Sequence, residues 1–369
     1  MNKSIFSLGF LFFGLVGFSQ SYVFQSLKDI EANPVISQDQ TGTCWSFSTT
    51  SFLEAEIIRL TGKHIDLSEM YNVRNTYPKK AWVYVMRQGH AQFGEGGLAH
   101  DVINSARDYG VVPQSAFVGK KDENGKYNHS QMEARLETIL KGHVAHPENL
   151  LNPVWKSEVN TVLDTYMGTN PTKFTYEGKE YTPKSFFEST KLNPKDYVTI
   201  SSYTHEVNYK PFLLDIPDNF SNGLFYNLPL DEYIQNIDYA LDKGFTIALD
   251  TDVSEATFSG KYGMAVVPNK PADATAILTE IKPEKQITPE YRQELFENYS
   301  TTDDHLMHIV GKVIDQKGNL YYKVKNSWGN ESGKEGYIYM SVAYIRLKSI
   351  SVLLHKDGLL PKTRTALGL

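Results

Sequence analysis

The chain has 369 residues, one cysteine, and 37 Lys+Arg against 43 Asp+Glu, a formal charge of −6. With 41% hydrophobic and 22% charged residues it has ordinary globular composition, enough for one large domain or two fused subdomains. The acidic balance argues against nucleic acid and anionic membranes as partners. A single cysteine excludes an intramolecular disulfide framework and any multi-cysteine zinc site.

Met1-Asn2-Lys3 gives a short positive start, and Ile5 to Phe18 is nearly all apolar. This run falls short of the about 20 residues a membrane span needs. Gly17 and Ser19 put small residues at −3 and −1 before Gln20, so residues 1–19 are predicted to be a secretory signal peptide. Its removal takes Lys3 and leaves 36 basic residues against 43 acidic, a charge of −7. The mature chain, 20–369, is then expected to be periplasmic or extracellular, with no membrane attachment.

Downstream, residues 30–118 form a strand-poor, helix-compatible stretch. A helix is predicted from Cys44 to Leu60, stopped by Gly62, and another over His100–Tyr109, stopped by Gly110. From 119 to 228 the chain turns polar, with turn signals and a helix predicted over Ser130–Lys141. It reads as an insertion packed on a core. Pro229 opens a helix over Leu230–Asp242. Strands are predicted over Phe245–Leu249, His308–Val313, Leu320–Lys325, Gly336–Met340 and Ser349–Leu354, closing a β region that spans 229–355. Residues 356–369 form a tail. Helices first and strands later predict an α+β fold.

The chemistry centres on Gln38-Asp39-Gln40-Thr41-Gly42-Thr43-Cys44-Trp45. A cysteine at a helix start faces unpaired N–H groups and the positive end of the helix dipole, which favour thiolate. Trp45 can wall the site, and Gln38 is placed to donate to a developing oxyanion. Far downstream stand Asp304-His305-Leu306-Met307-His308 and, after a predicted strand, Asn326-Ser327-Trp328-Gly329. An amide such as Asn326 can orient an imidazole, and Trp328 can shield that bond from water. His305 and His308 point to opposite sides of a strand. His305 is the candidate base and His308 a buried neighbour. No metal-ligand cluster or phosphate loop is present, and no cofactor is expected.

These motifs resemble the papain-like cysteine peptidases, and the match runs from about Val35 to Leu369. The resemblance implies a two-lobe fold, with a central helix starting at the catalytic cysteine in the helical lobe and a β-sheet in the other. It implies Cys44 as nucleophile, His305 as base and acid, Asn326 as orienting residue and Gln38 as oxyanion donor. Gly96-Gly97 resembles the glycine pair that holds substrate in extended form.

Thr41 stands where disulfide-bearing members place a cysteine, and 261 residues separate Cys44 from His305. That gap is far longer than the about 130–150 of the compact enzymes. Both departures, together with Tyr109-Gly110-Val111-Val112-Pro113, resemble the bleomycin hydrolase and aminopeptidase C branch.

There the C-terminal carboxylate holds the substrate's free amino terminus, so Leu369 becomes a substrate-binding candidate. Peptides with a free N-terminus become the expected partners, and hexamers the expected assembly. The short tail sets against this an open-cleft endopeptidase, and a catalytically inactive scaffold is the rival of a different class.

Overall fold

The computed structural model describes residues 21–146, 148 and 154–369, so the predicted signal segment lies outside the described residues. After strand β1 (Gln25–Asp29) comes helix α1 (Cys44–Thr61). Its end is set by Gly62, whose left-handed backbone (φ 69°) lets its N–H reach the Ile58 carbonyl. Helix α2 (Glu69–Met86) starts on Ser68, whose hydroxyl accepts from Tyr71 N. Helix α3 (Ala99–Tyr109) stops at Gly110, whose N–H bonds Ala106 O. These helices pack around α1, which is buried without interruption from Cys44 to Ile57.

Helices α4 (Ser130–Ala145) and α5 (Val154–Met167) pack on each other and on α2. Met132, Leu136, Leu140, Trp155, Val159 and Leu163 join the α1 core. A small hairpin, β2 (Phe174–Tyr176) and β3 (Lys179–Tyr181), leads to α6 (Pro183–Ser189). Then β4 (Tyr197–Ser201), β5 (Pro211–Leu213) and β6 (Leu224–Asn227) extend the main sheet. The polar middle of the chain thus contributes to both lobes.

The rest of the chain is α7 (Leu230–Asp242), β7 (Ile247–Thr251), β8 (Phe258–Ser259), β9 (Met264–Ala265) and α8 (Pro289–Glu297), followed by β10 (His305–Ile314) and β11 (Leu320–Lys325). It ends with β12 (Tyr337–Ser341), α9 (Val342–Lys348), β13 (Ser349–His355) and α10 (Pro361–Leu367). Among the described residues the main sheet runs β5-β6-β4-β13-β7-β10-β11-β12-β9-β8, with β1 also paired to β10.

The sheet alternates its faces as a pleat requires. Ala248, Leu306 and Leu353 face the α1 core, while Ile247, Leu249, Met307, Ile309, Val352 and Leu354 line a second core under α7. Each such aliphatic side chain contributes about 1.5–3 kcal/mol when fully buried. The strand predicted over Phe245–Leu249 begins later because Phe245 N still bonds Ala240 O at the end of α7. The strand predicted from His308 begins at His305, which pairs with Thr251. Among the described residues no helix is long and apolar enough to cross a membrane.

Helices packed around α1, with the mixed main sheet against them, make the architecture α+β.

Candidate active site

The N-terminus of α1 meets the head of β10. Cys44 is the first residue of α1 and is 8% exposed, and Leu306 lends it a backbone hydrogen bond. Beside it, His305 opens β10, and Asn326 follows directly on β11, whose Lys325 pairs with His308. Sheet pairing therefore brings together two residues 21 apart in sequence: His305 Nε2 lies 2.8 Å from Asn326 Oδ1. The Trp328 ring lies over the imidazole, centroids 4.7 Å apart, and is 37% exposed, so it stands between the ring and solvent.

Gln38 belongs to the same group. Its Nε2 donates to Thr41 O at 2.6 Å, and its Oε1 accepts from the Ser327 hydroxyl at 2.6 Å. One Nε2 proton bonds Thr41 O, so a second remains to be donated. Gln40 is exposed, and its side chain bonds Asn128 instead. Ser327 links Gln38 to Asn326: it lies inside the Asn-Ser-Trp-Gly motif, but the sequence assigns its hydroxyl no role. Glu95 is a second such residue. Its carboxylate accepts from Gly42 N at 2.6 Å and its carbonyl from Trp45 Nε1 at 2.9 Å, which fixes the loop leading into Cys44.

Gly97 lies flat against Trp45, whose indole would be 3.1 Å from any Cβ there. Gly96 is different: its carbonyl already accepts from Lys80, and a Cβ would fall on the Asp218 carboxylate.

Leu369 is not brought to this group. Helix α10 docks on α7, where Thr363 bonds both Asn236 and Glu232. Arg364 Nε donates to the Leu369 carbonyl at 3.3 Å. Pro361 opens this helix, and its Thr363 is buried at the contact with α7.

The ionisation of the site differs from expectation. Burial pushes the Cys44 thiol up to about 12, and the charges of Asp303, Asp218 and Asp250 act in the same direction against the Leu306 N–H. Burial lowers His305 to about 4, against the Asn326 bond and the Asp304 charge. Both shifts favour the neutral thiol and the neutral imidazole. Here burial and acidic neighbours outweigh the helix terminus.

Two neighbours of the site are structural. Asp304, although burial raises it, is held below the carboxylate range by hydrogen bonds from Ser254, Thr302 and Val253. His308 is fully buried, with Nδ1 3.0 Å from Ser51 Oγ.

A family model described as the Peptidase C1-like family matches residues 91–367, a span that holds His305 and Asn326 and begins after Cys44. Aminopeptidase G of Lactobacillus delbrueckii subsp. lactis is 23% identical over 383 residues, covering 90% of this chain and 83% of its own. Bleomycin hydrolase of Rattus norvegicus is 24% identical over 375 residues, covering 87% and 80%. Aminopeptidase C of Streptococcus thermophilus is 21% identical over 378 residues, covering 90% and 82%. The crystal structure of PepW of Lactobacillus rhamnosis, 18% identical, superposes with a TM-score of 0.75 over 93% of this chain and 84% of its own, which shows the α+β, papain-like fold.

Proposed function

The chain belongs to the Peptidase C1-like family, and on that premise we propose that it is an aminopeptidase whose nucleophile is Cys44. The observation that carries the reading is the His305–Asn326 pair set beside a cysteine at a helix N-terminus. The names of the relatives, aminopeptidases and bleomycin hydrolase, support the substrate class.

His305 Nδ1 takes the thiol proton as Cys44 Sγ attacks the carbonyl carbon of the first peptide bond. The carbonyl oxygen becomes an oxyanion, met by the free Gln38 Nε2 proton and the Cys44 backbone N–H. His305 then gives its proton to the leaving nitrogen, and the C–N bond breaks. In the second half His305 accepts a proton from water, whose oxygen attacks the thioester. The acid leaves and the thiol is restored. Asn326 holds the ring throughout, and Trp328 keeps water from the bond between them.

The test is hydrolysis of a leucyl coumarinamide and its N-acetyl form by residues 20–369. The free-amino substrate is expected to be cleaved faster, with activity and labelling by an epoxide peptidase inhibitor both lost in Cys44→Ala. A second reading, an open-cleft endopeptidase, is favoured by the docking of α10 on α7, away from Cys44. Preference for the acetylated substrate would select it. Export is part of the proposal as well, with a mature N-terminus at Gln20 as its expected mark and a retained Met1 as its refutation.

A further inference from the structure

The Cys44 site is bordered by more negative charge than peptide hydrolysis uses. Asp250, on β7, lies directly across from Leu306 of β10. Its strand neighbour Ala248 belongs with Leu306 and Cys44 in one core, so Asp250 shares the face that meets α1. Asp303, two residues before His305, has its carboxyl hydrogen-bonded to that of Asp250. Asp218 arrives from the loop between β5 and β6 and lies over Gly96, on the wall that carries Trp45. Asp303, Asp218 and Asp250, in that order, are the charges that act on the Cys44 thiol.

Carboxyls gathered this way need protons or a cation. Burial, then repulsion from Asp303, pushes Asp250 well above the carboxylate range. Burial, then the Asp218 charge, pushes Asp303 up to about 7. Lys80 offsets Asp218, but the groups acting on Asp303 are Asp218, Asp250 and Asp304, none of them a cation.

Two atoms show what is missing. Asp250 is 2% exposed, its carboxyl meets that of Asp303, and its Oδ1 is buried without a hydrogen-bond partner. The hydroxyl of Tyr203 is also buried without a partner, and Arg292 favours its ionisation while both carboxyls oppose it. Among the described residues no group of three or more His, Cys, Asp and Glu is arranged to hold a metal ion. A positively charged N–H donor matches both the charge and the unpaired acceptor.

We propose that Asp303 and Asp250, with Asp218 on the facing wall, bind a primary ammonium group of the substrate next to the scissile residue. This rests on the reading of Cys44 as nucleophile. Two parts of a peptide carry such a group within reach. One is the α-amine of the residue that acylates Cys44, two bonds from the attacked carbon. The other is a lysine side chain one residue upstream. An ammonium bound there also offsets the acidic charges that add to the effect of burial on the thiol, so substrate binding and thiol activation are coupled.

The experiment compares kcat/KM for wild type, Asp303→Asn, Asp250→Asn and Asp218→Asn on four coumarinamides: leucyl, N-acetyl-leucyl, N-acetyl-lysyl-leucyl and N-acetyl-norleucyl-leucyl. The Asn variants keep the shape and remove the charge. A charged hydrogen bond of about 1.5–3 kcal/mol corresponds to a fall of roughly tenfold to a hundredfold in the ammonium preference. A fall in the free-to-acetylated ratio assigns the site to the α-amine. A fall confined to the lysyl-to-norleucyl ratio assigns it to the side chain.

Unchanged ratios in variants that still take one epoxide per chain overturn the ammonium site and leave the Cys44 reading standing. A wild type that neither hydrolyses nor takes the epoxide overturns the Cys44 reading itself. Should a variant not fold, the wild type alone decides. Leucinamide then protects Cys44 from the epoxide better than N-acetyl-leucinamide, or N-acetyl-lysyl-leucinamide better than its norleucyl form, and equal protection within both pairs overturns the proposal.

Discussion

Asn326 Oδ1 accepts from His305 Nε2 at 2.8 Å, and the Ser327 N–H, also 2.8 Å away, fixes which end of the amide faces the ring. A backbone N–H can only donate, so the atom between it and the imidazole is the oxygen. His305 Nε2 must then carry the proton, and Nδ1 is left to receive one. The opposite amide end, Asn326 Nδ2, is buried without a partner. The arrangement therefore costs stability and selects one tautomer.

Replacing Asn326 by Ala frees the ring to turn and to change tautomer. The expected result is a drop of about 100-fold in kcat with KM little changed, at the lower end of what acid–base catalysis contributes. Steady-state kinetics on the leucyl coumarinamide read this directly. A fall in KM alone would count against the orienting role.

Gln38 and Ser327 make a graded pair. Gln38→Ala removes an oxyanion donor and is expected to lower kcat by about 100- to 1000-fold while epoxide labelling of Cys44 continues. Ser327→Ala removes only the hydroxyl that steers Gln38 Oε1. One hydrogen bond of about 1 kcal/mol predicts roughly a fivefold loss. Equal losses in both variants would mean that Ser327 acts on its own account.

The thiol near 12 and the imidazole near 4 set a pH prediction. A thiol raised in this way stays protonated through neutrality, so alkylation by iodoacetamide should keep rising with pH above 8. Burial holds it up, with Asp303, Asp218 and Asp250 acting in the same direction, while the Leu306 N–H pulls it down. Removing the Asp303 charge lowers the thiol, so Asp303→Asn is expected to alkylate faster than wild type at pH 7. A rate already flat from pH 5 upward is the signature of a standing thiolate–imidazolium pair and contradicts the neutral site.

Behind α1, Lys325 lies 4% exposed beside two buried carboxyls, Glu54 and Glu69. Its Nζ donates to Asn33 O and Ser51 Oγ, each at 2.7 Å. Lys325→Met leaves Asn33 O and Ser51 Oγ without their donor beside two acids that burial already pushes toward the neutral form, and the expected loss is about 1–3 kcal/mol. Urea unfolding at pH 7 measures it. Because Lys325 adjoins Asn326, a parallel loss of kcat is expected, since the end of β11 carries both.

Where a residue pattern was local, the sequence carried the structure. Leu230–Asp242 is a helix with the predicted bounds because one face is apolar and Pro229 and Gly244 bracket it. Helix α2 was not legible: it is buried almost all round and has Pro78 inside, so it shows neither a stripe nor a clean helical run. The Cys44, His305, Asn326 and Gln38 group was legible from three motifs. Asp218, Asp250 and Asp303 come from a loop, a strand end and a strand approach, and only the folded chain places them at one site.

The tail offers the sharpest separation between two ways of gripping an amino terminus. If a C-terminal carboxylate did it, deleting Gly368 and Leu369 would weaken the preference for free-amino substrates. Here Leu369 is held by Arg364, and the anchoring contacts of α10 come from Thr363, which bonds Asn236 and Glu232 of α7. The deletion removes neither Thr363 nor any acid at Cys44. Its expected outcome is an unchanged free-to-acetylated ratio, with a small loss of thermal stability from the end of α10. Thr363→Val, which cuts the dock but keeps the terminus, should lower stability more and likewise leave the ratio alone. A ratio that collapses on deletion but survives Asp303→Asn would return the grip to the carboxylate of Leu369.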